Sequence, residues 1–234
     1  MPAKNILKEY VKDGYYHVYN RGVEKRVIFQ DDQDHKVFLN YLKEYLEPPP
    51  PLETLIREFE VDDRVYKGID KPINNYYGKI ELIAYCLMAN HFHLLLKQNE
   101  ERSLEFFMRS LGTRYTLYFN KRNNRVGHLF QGTYKAVYVD SEGQLLHLSR
   151  YIHLNPVKET PLEVSWKSKL RESYSSYQEF LGKRKTKWLK PDVVLSSFPR
   201  YKPKGTSGYQ SFVEDYYQEE ADFTPNLLID YLSR

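Results

Sequence analysis

The feature that most constrains the fold is a long apolar segment, "KIELIAYCLM" followed by "HFHLLLKQ", which spans residues 79–98. Only the dipeptide Ala89-Asn90 interrupts it. Two apolar runs of strand length, separated by a two-residue polar break, predict a β-hairpin. The hairpin must contribute to the hydrophobic core, so the rest of the chain has to be arranged around it.

Two histidines interrupt the second strand of this hairpin. Side chains alternate between the faces of a strand, so His91 and His93 share one face while Phe92 and Leu94 occupy the other. The apolar face can anchor the strand, which leaves the imidazoles for a surface or a site. Two imidazoles at i and i+2 can converge on one cation. A hydrogen-bonded histidine pair on a half-buried strand is the alternative interpretation.

The remaining elements follow from periodicity and from capping residues. Strands are predicted at 15–22 and 134–139, and helices at 31–47, 103–124 and 141–158, the last ended by Pro156. The order βα, ββ, α, β, α predicts an α+β fold of the ferredoxin-like or RRM-like plan, with a four-stranded antiparallel sheet and helices on one face. The other face then stays open, and His91 and His93 point to it.

Composition divides the chain into a domain and an extension. The domain is predicted at 10–160, with an insertion at 48–77 that begins with a run of prolines. A basic, helical C-terminal extension and tail follow at 161–234. The segment "GKRKTKWLKP", residues 182–191, has five lysines and arginines and a tryptophan, which suits phosphates and a stacked base. A flexible basic linker is equally compatible with it.

Charge and hydropathy narrow the functional classes. The 35 lysines and arginines exceed the 31 acidic residues, for a net charge of +4, which permits a polyanionic partner without requiring one. The single cysteine, Cys86, cannot form an internal disulfide and is expected to be a small buried residue. There is no apolar stretch of roughly 18 residues and no apolar core near the N-terminus, so we expect a cytoplasmic protein.

Four blocks in chain order carry a resemblance to a known family. They are "YHVYNRG", "MANHFHLLLK", "GHLFQGTYK" and "LSRYIHLNPVK". Together they resemble the single-tyrosine HUH transposases, which are IS200-like, and specifically their REP-associated tyrosine transposase branch. The later "SSYQEFLG" and "KWLKPDVVLSSF" are similar to the C-terminal part of that branch. One departure is Ala89, where most members have proline.

The resemblance implies metal-dependent cleavage and strand transfer of single-stranded DNA, next to REP-like hairpins, through a 5′-phosphotyrosine intermediate. It implies that the enzyme works as a monomer or a homodimer. The implied nucleophile is Tyr151, the implied Mg²⁺ or Mn²⁺ ligands are His91, His93 and Asn155, and the implied DNA contacts are Arg21, Gln131, Lys135 and Arg150.

Helix geometry favours Asn155 over His153 as the third ligand. Asn155 lies at i+4 from Tyr151 and on the same helix face, whereas His153 is rotated by about 200°. Two other classes remain open. One is a nucleic-acid-binding module that kept the fold but lost cleavage. The other is an unrelated zinc hydrolase, which would need a third ligand and a catalytic carboxylate near the histidines.

Overall fold

The computed structural model describes residues 10–62, 64–69, 74–158, 165–198 and 208–221. The strands are β1 (Tyr15–Arg21), β2 (Ile56–Val61), β3 (Arg64–Ile69), β4 (Ile80–Met88), β5 (His91–Gln98) and β6 (Lys135–Val139). The helices are α1 (Asp32–Leu46), α2 (Ser103–Arg122), α3 (Glu142–Lys158), α4 (Trp166–Glu172), α5 (Tyr177–Phe180), α6 (Asp192–Leu195) and α7 (Gly208–Ala221). Two short 3-10 turns lie at Val23–Lys25 and Leu52–Leu55. None of the described helices is both long enough and apolar enough to cross a membrane.

The main sheet is antiparallel with the order β4-β5-β1-β6. The predicted hairpin is confirmed as β4 and β5, which are joined at Ala89-Asn90. Strand β1 pairs with β5 on one side and with β6 on the other, so it is an inner strand of the sheet. The predicted α+β fold with a four-stranded antiparallel sheet is confirmed.

One face of the sheet packs against α1 and α2. Val18 and Leu94 on this face are fully buried and share a core with Phe38 of α1 and Phe107 and Leu111 of α2. Phe107 and Leu111 lie four residues apart, which places them on the same side of α2, facing the sheet. This is the helical layer that the sequence predicts.

The second face is not open over β4, which corrects the prediction of helices on one face only. Helix α3 lies there, and its Leu148 and Ile152 share a second core with Ile83 and Cys86 of β4 and Leu95 of β5. A strand that is apolar on both faces requires cover on both faces. The uninterrupted run "LIAYCLM" was the signal for this cover. Cys86 is buried and unbridged, as predicted.

The C-terminal extension shares this second core. Residues from all four of its helices, namely Leu170, Tyr177, Val194 and Tyr209, are buried together with the α3 residues. The predicted domain boundary at residues 160 and 161 therefore falls between helices that pack together. Helix α3 continues through Pro156 to Lys158, although Pro156 was expected to end it. A proline at this position removes the backbone hydrogen bond to the carbonyl of Ile152.

The predicted insertion at 48–77 contains a second sheet. Strands β2 and β3 form a separate two-stranded antiparallel ribbon in which every residue of β2 is exposed. Sequence periodicity did not reveal this ribbon, because neither of its faces supplies a buried apolar stripe.

Helices α1 and α2 are held together by a charged cluster. The predicted capping residue Asp31 accepts hydrogen bonds from the backbone N–H groups of Gln33 and Asp34. Arg122 of α2 donates to Asp31 at 2.5 Å and also pairs with Asp34, whose side chain is fully buried. The hydrogen bond from Arg122 lowers the pKa of Asp31 to about 2. A buried carboxylate depends strongly on such a partner.

Replacing Arg122 with methionine should therefore destabilise the domain. The substitution keeps the aliphatic stem but leaves the buried Asp34 carboxylate without its cation. We expect the melting temperature to fall by about 5 °C or more in a thermal denaturation experiment at pH 7. Lys121→Met, a change at the exposed neighbouring position, is the matched control and should leave it nearly unchanged. Equal melting temperatures of both variants and the wild type would contradict the role of this cluster.

Candidate active site

Sheet register aligns a row of polar residues on the second face. In this row Cys86, His93, Tyr19 and Lys135 are consecutive neighbours across β4, β5, β1 and β6. Directly paired residues share a face, so the row is continuous. The next row toward the hairpin turn pairs His91 with Arg21. The two predicted histidines therefore lie on the face that α3 only partly covers.

His93 is held by a third histidine, His17 of β1. Nε2 of His17 lies 2.8 Å from Nδ1 of His93, and the two rings stack with centroids 5.0 Å apart. Both side chains are buried, with 2% and 6% of their surface exposed. His17 was absent from the predicted site. The sequence could have indicated His17 through strand alternation, because His17 and Tyr19 lie two residues apart on β1 and therefore share a face.

His91 is oriented by its own turn. Its Nδ1 lies 2.6 Å from Oδ1 of Asn90, and its ring is nearly perpendicular to that of His93 at a centroid distance of 5.0 Å. Such a partner on Nδ1 fixes the tautomer of an imidazole and leaves Nε2 as the nitrogen with the lone pair. Asn90 in the hairpin turn thus orients the ring of His91.

Burial keeps these imidazoles neutral. Desolvation lowers the pKa of His17 to about 3. Desolvation, with a smaller contribution from the charge of Arg21, lowers the pKa of His91 to about 4. The pKa of His93 is also well below its usual value, because of burial and then of the two neighbouring histidines. A neutral imidazole is the form that binds a metal ion.

Helix α3 brings the predicted nucleophile, Tyr151, to this histidine cluster. The Tyr151 ring lies 5.7 Å from that of His93 and 6.0 Å from that of His17, and it is nearly perpendicular to both. Tyr151 is half-buried. The pKa of Tyr19 is raised by burial and also by its electrostatic interaction with Tyr151, so the two phenols are neighbours. Tyr19 of β1 contacts the same two rings, at 4.9 Å from His17 and 5.7 Å from His93, but its plane is inclined to theirs by only 31° and 28°.

The two candidates for the third ligand have different surroundings. His153 is fully buried, and its ring nitrogens lie 2.7 Å from the Tyr209 hydroxyl and 2.8 Å from the Ser176 hydroxyl. Both of its nitrogens are thus engaged in the core. Asn155 donates from Nδ2 to the carbonyl of Tyr151 at 3.1 Å, so Oδ1 is the atom that can coordinate a cation. The preference for Asn155 over His153 agrees with these contacts.

The donor atoms of His91, His93 and Asn155 fit a divalent cation. Two neutral imidazoles and one amide oxygen suit Mg²⁺ or Mn²⁺, which complete their shells with water and phosphate oxygens. Within the described ranges, three or more His, Cys, Asp or Glu residues are nowhere grouped as a metal cluster. Beside the pair of His91 and His93, His17 is a third imidazole, and its Nε2 is engaged with Nδ1 of His93.

Three predicted DNA contacts lie together at the edge of this site. Arg21 donates from Nε to the side-chain oxygen of Gln131, and the backbone N–H of Gln131 donates to the carbonyl of Arg21 at 2.9 Å. Lys135 places its ammonium 5.8 Å from the centre of the Tyr19 ring. The arrangement puts two cations and an amide around the face that holds the histidines.

The fourth predicted contact, Arg150, lies elsewhere. It is only 8% exposed, and its guanidinium stacks on Tyr216 of α7 at 3.4 Å and on Phe212 at 4.3 Å. It also contacts Nδ1 of His147 at 2.7 Å. The residue joins α3 to α7, and this geometry disfavours a direct DNA contact. Arg150 and Tyr151 have different surroundings because adjacent helix residues point in different directions.

The basic segment at 182–191 is also partly packed. Arg184 pairs with the buried Glu179 at 2.6 Å and donates to the carbonyl of Ser175 at 2.5 Å. Trp188 stacks on Tyr85 with centroids 6.2 Å apart. The tryptophan and one of the cations therefore support the fold.

A wide cleft of about 1440 Å³ begins next to the predicted contacts. It lies between α2 and the loop before β6, and its lining includes Arg102, Arg109, Phe130, Gln131 and Lys135. Cations and a partly exposed aromatic ring beside a groove suit a nucleic-acid strand. Arg102, at the N-cap of α2, and Arg109, within it, were not predicted, because there they resemble an ordinary solvated face.

Comparison with known proteins agrees with the sequence resemblance. Residues 53–155 match the family described as IS200-like transposases. This range includes both histidines, Tyr151 and Asn155, and it begins inside the segment that we interpreted as an insertion. A sequence search of curated proteins found no match. The resemblance to this transposase family is thereby confirmed.

Solved structures provide the comparison of folds. The structure of a REP-associated tyrosine transposase bound to a REP hairpin aligns with a TM-score of 0.50 and 12% identity, over 76% of this chain and 86% of that one. A candidate transposase from Deinococcus radiodurans R1 aligns with a TM-score of 0.35 and 15% identity, over 62% of this chain and 93% of that one. The first match shows that the fold is shared. Together with the family match, it supports a transposase function and a DNA-processing enzyme.

The different surroundings of the histidines lead to a stability prediction. His153→Ala removes a partner from two buried hydroxyls and leaves a cavity, so we expect the free energy of unfolding to fall by about 3 kcal/mol. His91→Ala, at a partly exposed position, should cost less than about 1 kcal/mol. Chemical denaturation of both variants measures the difference. A larger loss for His91→Ala would mean that His91 is a structural residue.

Proposed function

We propose that this protein cleaves single-stranded DNA beside a hairpin and rejoins it through a covalent bond to Tyr151. The observation that carries the proposal is the position of the Tyr151 ring against His93 and His17, on the sheet face that also holds His91. The IS200-like family match and the shared fold support it. The REP hairpin bound to the structural neighbour is the reason for choosing a hairpin substrate.

The proposed reaction is a phosphoryl transfer from the DNA strand to Tyr151, followed by transfer from Tyr151 to a 3′ hydroxyl. Oη of Tyr151 attacks the scissile phosphorus, an O–P bond forms to the tyrosine, and the bond from phosphorus to the 3′ oxygen breaks. The phenol loses its proton and the 3′ oxygen gains one. The tyrosine then holds the 5′ phosphate, and attack by a 3′ hydroxyl reverses the step. Since a phosphodiester is exchanged for another phosphodiester, rejoining to a different strand needs no energy source.

The residues that would hold the cation are His91, His93 and Asn155. Bound Mg²⁺ or Mn²⁺ would supply electrostatic stabilisation of the charge on the scissile phosphate. Neutral imidazoles add no charge of their own, so the phosphate meets the full charge of the ion. Arg21, Gln131 and Lys135 would hold the neighbouring backbone, which positions the strand for attack along the line of the breaking bond.

His17 acts as a positioning residue for His93. When Nδ1 of His93 donates its proton to Nε2 of His17, the lone pair of His93 lies on Nε2, where a cation needs it. The opposite direction of the bond would put a proton on that nitrogen. The stacked, buried arrangement of the rings also limits their rotation.

A single-atom change tests the nucleophile. Tyr151→Phe keeps the ring but removes the hydroxyl, so the covalent DNA adduct should disappear while hairpin affinity and melting temperature stay nearly unchanged. Denaturing gels with hairpin-flanked single strands and Mn²⁺ detect the adduct. In the wild type, mass spectrometry should locate the nucleotide on the tryptic peptide "YIHLNPVK", which contains no second tyrosine.

Two other tyrosines serve as controls. Tyr138→Phe, at a half-exposed residue of β6, should leave the adduct intact. Tyr19→Phe removes the hydroxyl of the neighbouring tyrosine on β1. If the adduct is lost in Tyr19→Phe but is still formed in Tyr151→Phe, the nucleophile is Tyr19 and not Tyr151. Hairpin binding without any adduct in the wild type would favour a binding module that lacks cleavage.

The role of His17 predicts an effect on cation dependence. His17→Phe keeps a stacked ring but removes the acceptor, so we expect cleavage to fall about 10- to 100-fold and the Mn²⁺ concentration for half-maximal cleavage to rise. His17→Gln retains an acceptor and should be less impaired. His93→Ala, which removes a ligand, should abolish cleavage. An unchanged Mn²⁺ dependence in His17→Phe, with only a lower melting temperature, would indicate a packing role alone.

A further inference from the structure

The β2–β3 ribbon is the largest described feature that the proposed reaction does not use. Register places Arg57 opposite Gly68, Phe59 opposite Tyr66 and Val61 opposite Arg64. Because paired residues share a face, these six residues form one face of the ribbon, which we call the aromatic face. Phe59 and Tyr66 are 51% and 44% exposed. An isolated two-stranded ribbon has little core of its own, so exposed aromatic residues on it indicate a binding surface.

Charge is segregated between the two faces of the ribbon. The aromatic face has Arg57 and Arg64 and no acidic residue on either strand. The opposite face has Glu58 and Glu60, and Glu58 is paired with Lys67 at 3.2 Å. Asp62 lies in the turn, outside both strand faces. A face that combines aromatic rings with cations alone is complementary to a polyanion with flat bases.

The two aromatic rings form a platform. Their planes are inclined by only 20°, with centroids 6.0 Å apart. The Phe59 ring lies over Gly68, where a Cβ atom would approach it to 2.6 Å. Glycine at this position therefore lets the ring lie flat against the backbone, which leaves its other side to a ligand. The platform is built by the ribbon itself and needs no contact with the main core.

We propose that the aromatic face binds single-stranded DNA, with a base stacked on Phe59 and Tyr66 and the flanking phosphates on Arg57 and Arg64. The two arginines lie four residues apart along the ribbon, about 13 Å, on either side of the platform. Stacking on exposed aromatic rings requires an unpaired base, which is why a single strand fits better than a duplex. The assignment does not require Tyr151 to be a nucleophile. Only the choice of DNA as the nucleic acid rests on the proposed function.

The anchor of the ribbon determines which nucleotides it would meet. The chain leaves the ribbon and enters β4 at Ile80, which pairs with Gln98. His91 pairs with Met88 at the other end of the same hairpin, about 25 Å away. The ribbon would therefore be a second contact on the substrate, joined in sequence to the end of the hairpin that lies away from His91.

Matched substitutions on the two faces test the proposal. In the full chain with Tyr151→Phe, which prevents cleavage, fluorescence anisotropy measures the affinity for a labelled oligothymidylate. Tyr66→Thr on the aromatic face should weaken binding about 5-fold or more, whereas Val65→Thr on the opposite face should not. Arg64→Gln should lower the slope of log affinity against log salt by about 0.7, while Lys67→Gln should leave it unchanged. Tyr66→Trp restores a platform and should retain affinity.

The outcomes separate this proposal from the cleavage mechanism. Equal affinities within each matched pair would overturn the proposal and assign the ribbon to another class of partner. The proposal would also be overturned if the substitutions on the aromatic face weakened binding of a labelled duplex but left the affinity for oligothymidylate unchanged. Melting temperatures should be equal in all variants, since both faces are exposed. Absence of an adduct in the wild type would overturn the proposed cleavage and leave this comparison unaffected.

Discussion

The structure depends on the burial of strand β4 on both of its faces. From Leu82 to Met88 its residues are 0–7% exposed, and they contribute to two different cores. Helices α1 and α2 cover one face, so a second layer is required on the other, and α3 supplies it. Burial of this strand therefore determines where the helix with Tyr151 lies. The position of the proposed nucleophile is thus determined by apolar packing of α3 on β4, which involves no reactive side chain.

The candidate site forms where this second layer ends. Over β4 the face is apolar, but along β5 and β1 it changes to His93, His17 and Tyr19, and at β6 to the exposed Lys135. Burial at the margin of the core keeps the imidazoles neutral, and the neighbouring strand supplies the hydrogen bond that orients His93. A site at this boundary combines the low dielectric environment of the core with access for a strand of DNA.

Sequence reasoning located elements better than it located contacts. The hairpin, strands β1 and β6 and three helices were predicted within about two residues, because each has a strong period and clear end signals. The family blocks identified Tyr151 and the histidine pair, which the structure brings together. The ribbon was missed because it has no buried face, and His17 because its partner is 76 residues away in sequence. The burial of Arg150 could not be predicted, because its partners on α7 follow the family blocks.

The C-terminal extension holds the part of α3 that contains Tyr151. Before Tyr151 in sequence, Arg150 is stacked on Tyr216, and after it, His153 is hydrogen-bonded to Tyr209 and Ser176. These contacts fix α3 from the side away from the sheet, while Ile152 fixes it from within the core. A nucleophile on a helix held from both sides loses little further freedom when the strand binds, which favours attack in a defined direction. The extension is thus part of the proposed active site, although none of its described side chains needs to touch the DNA.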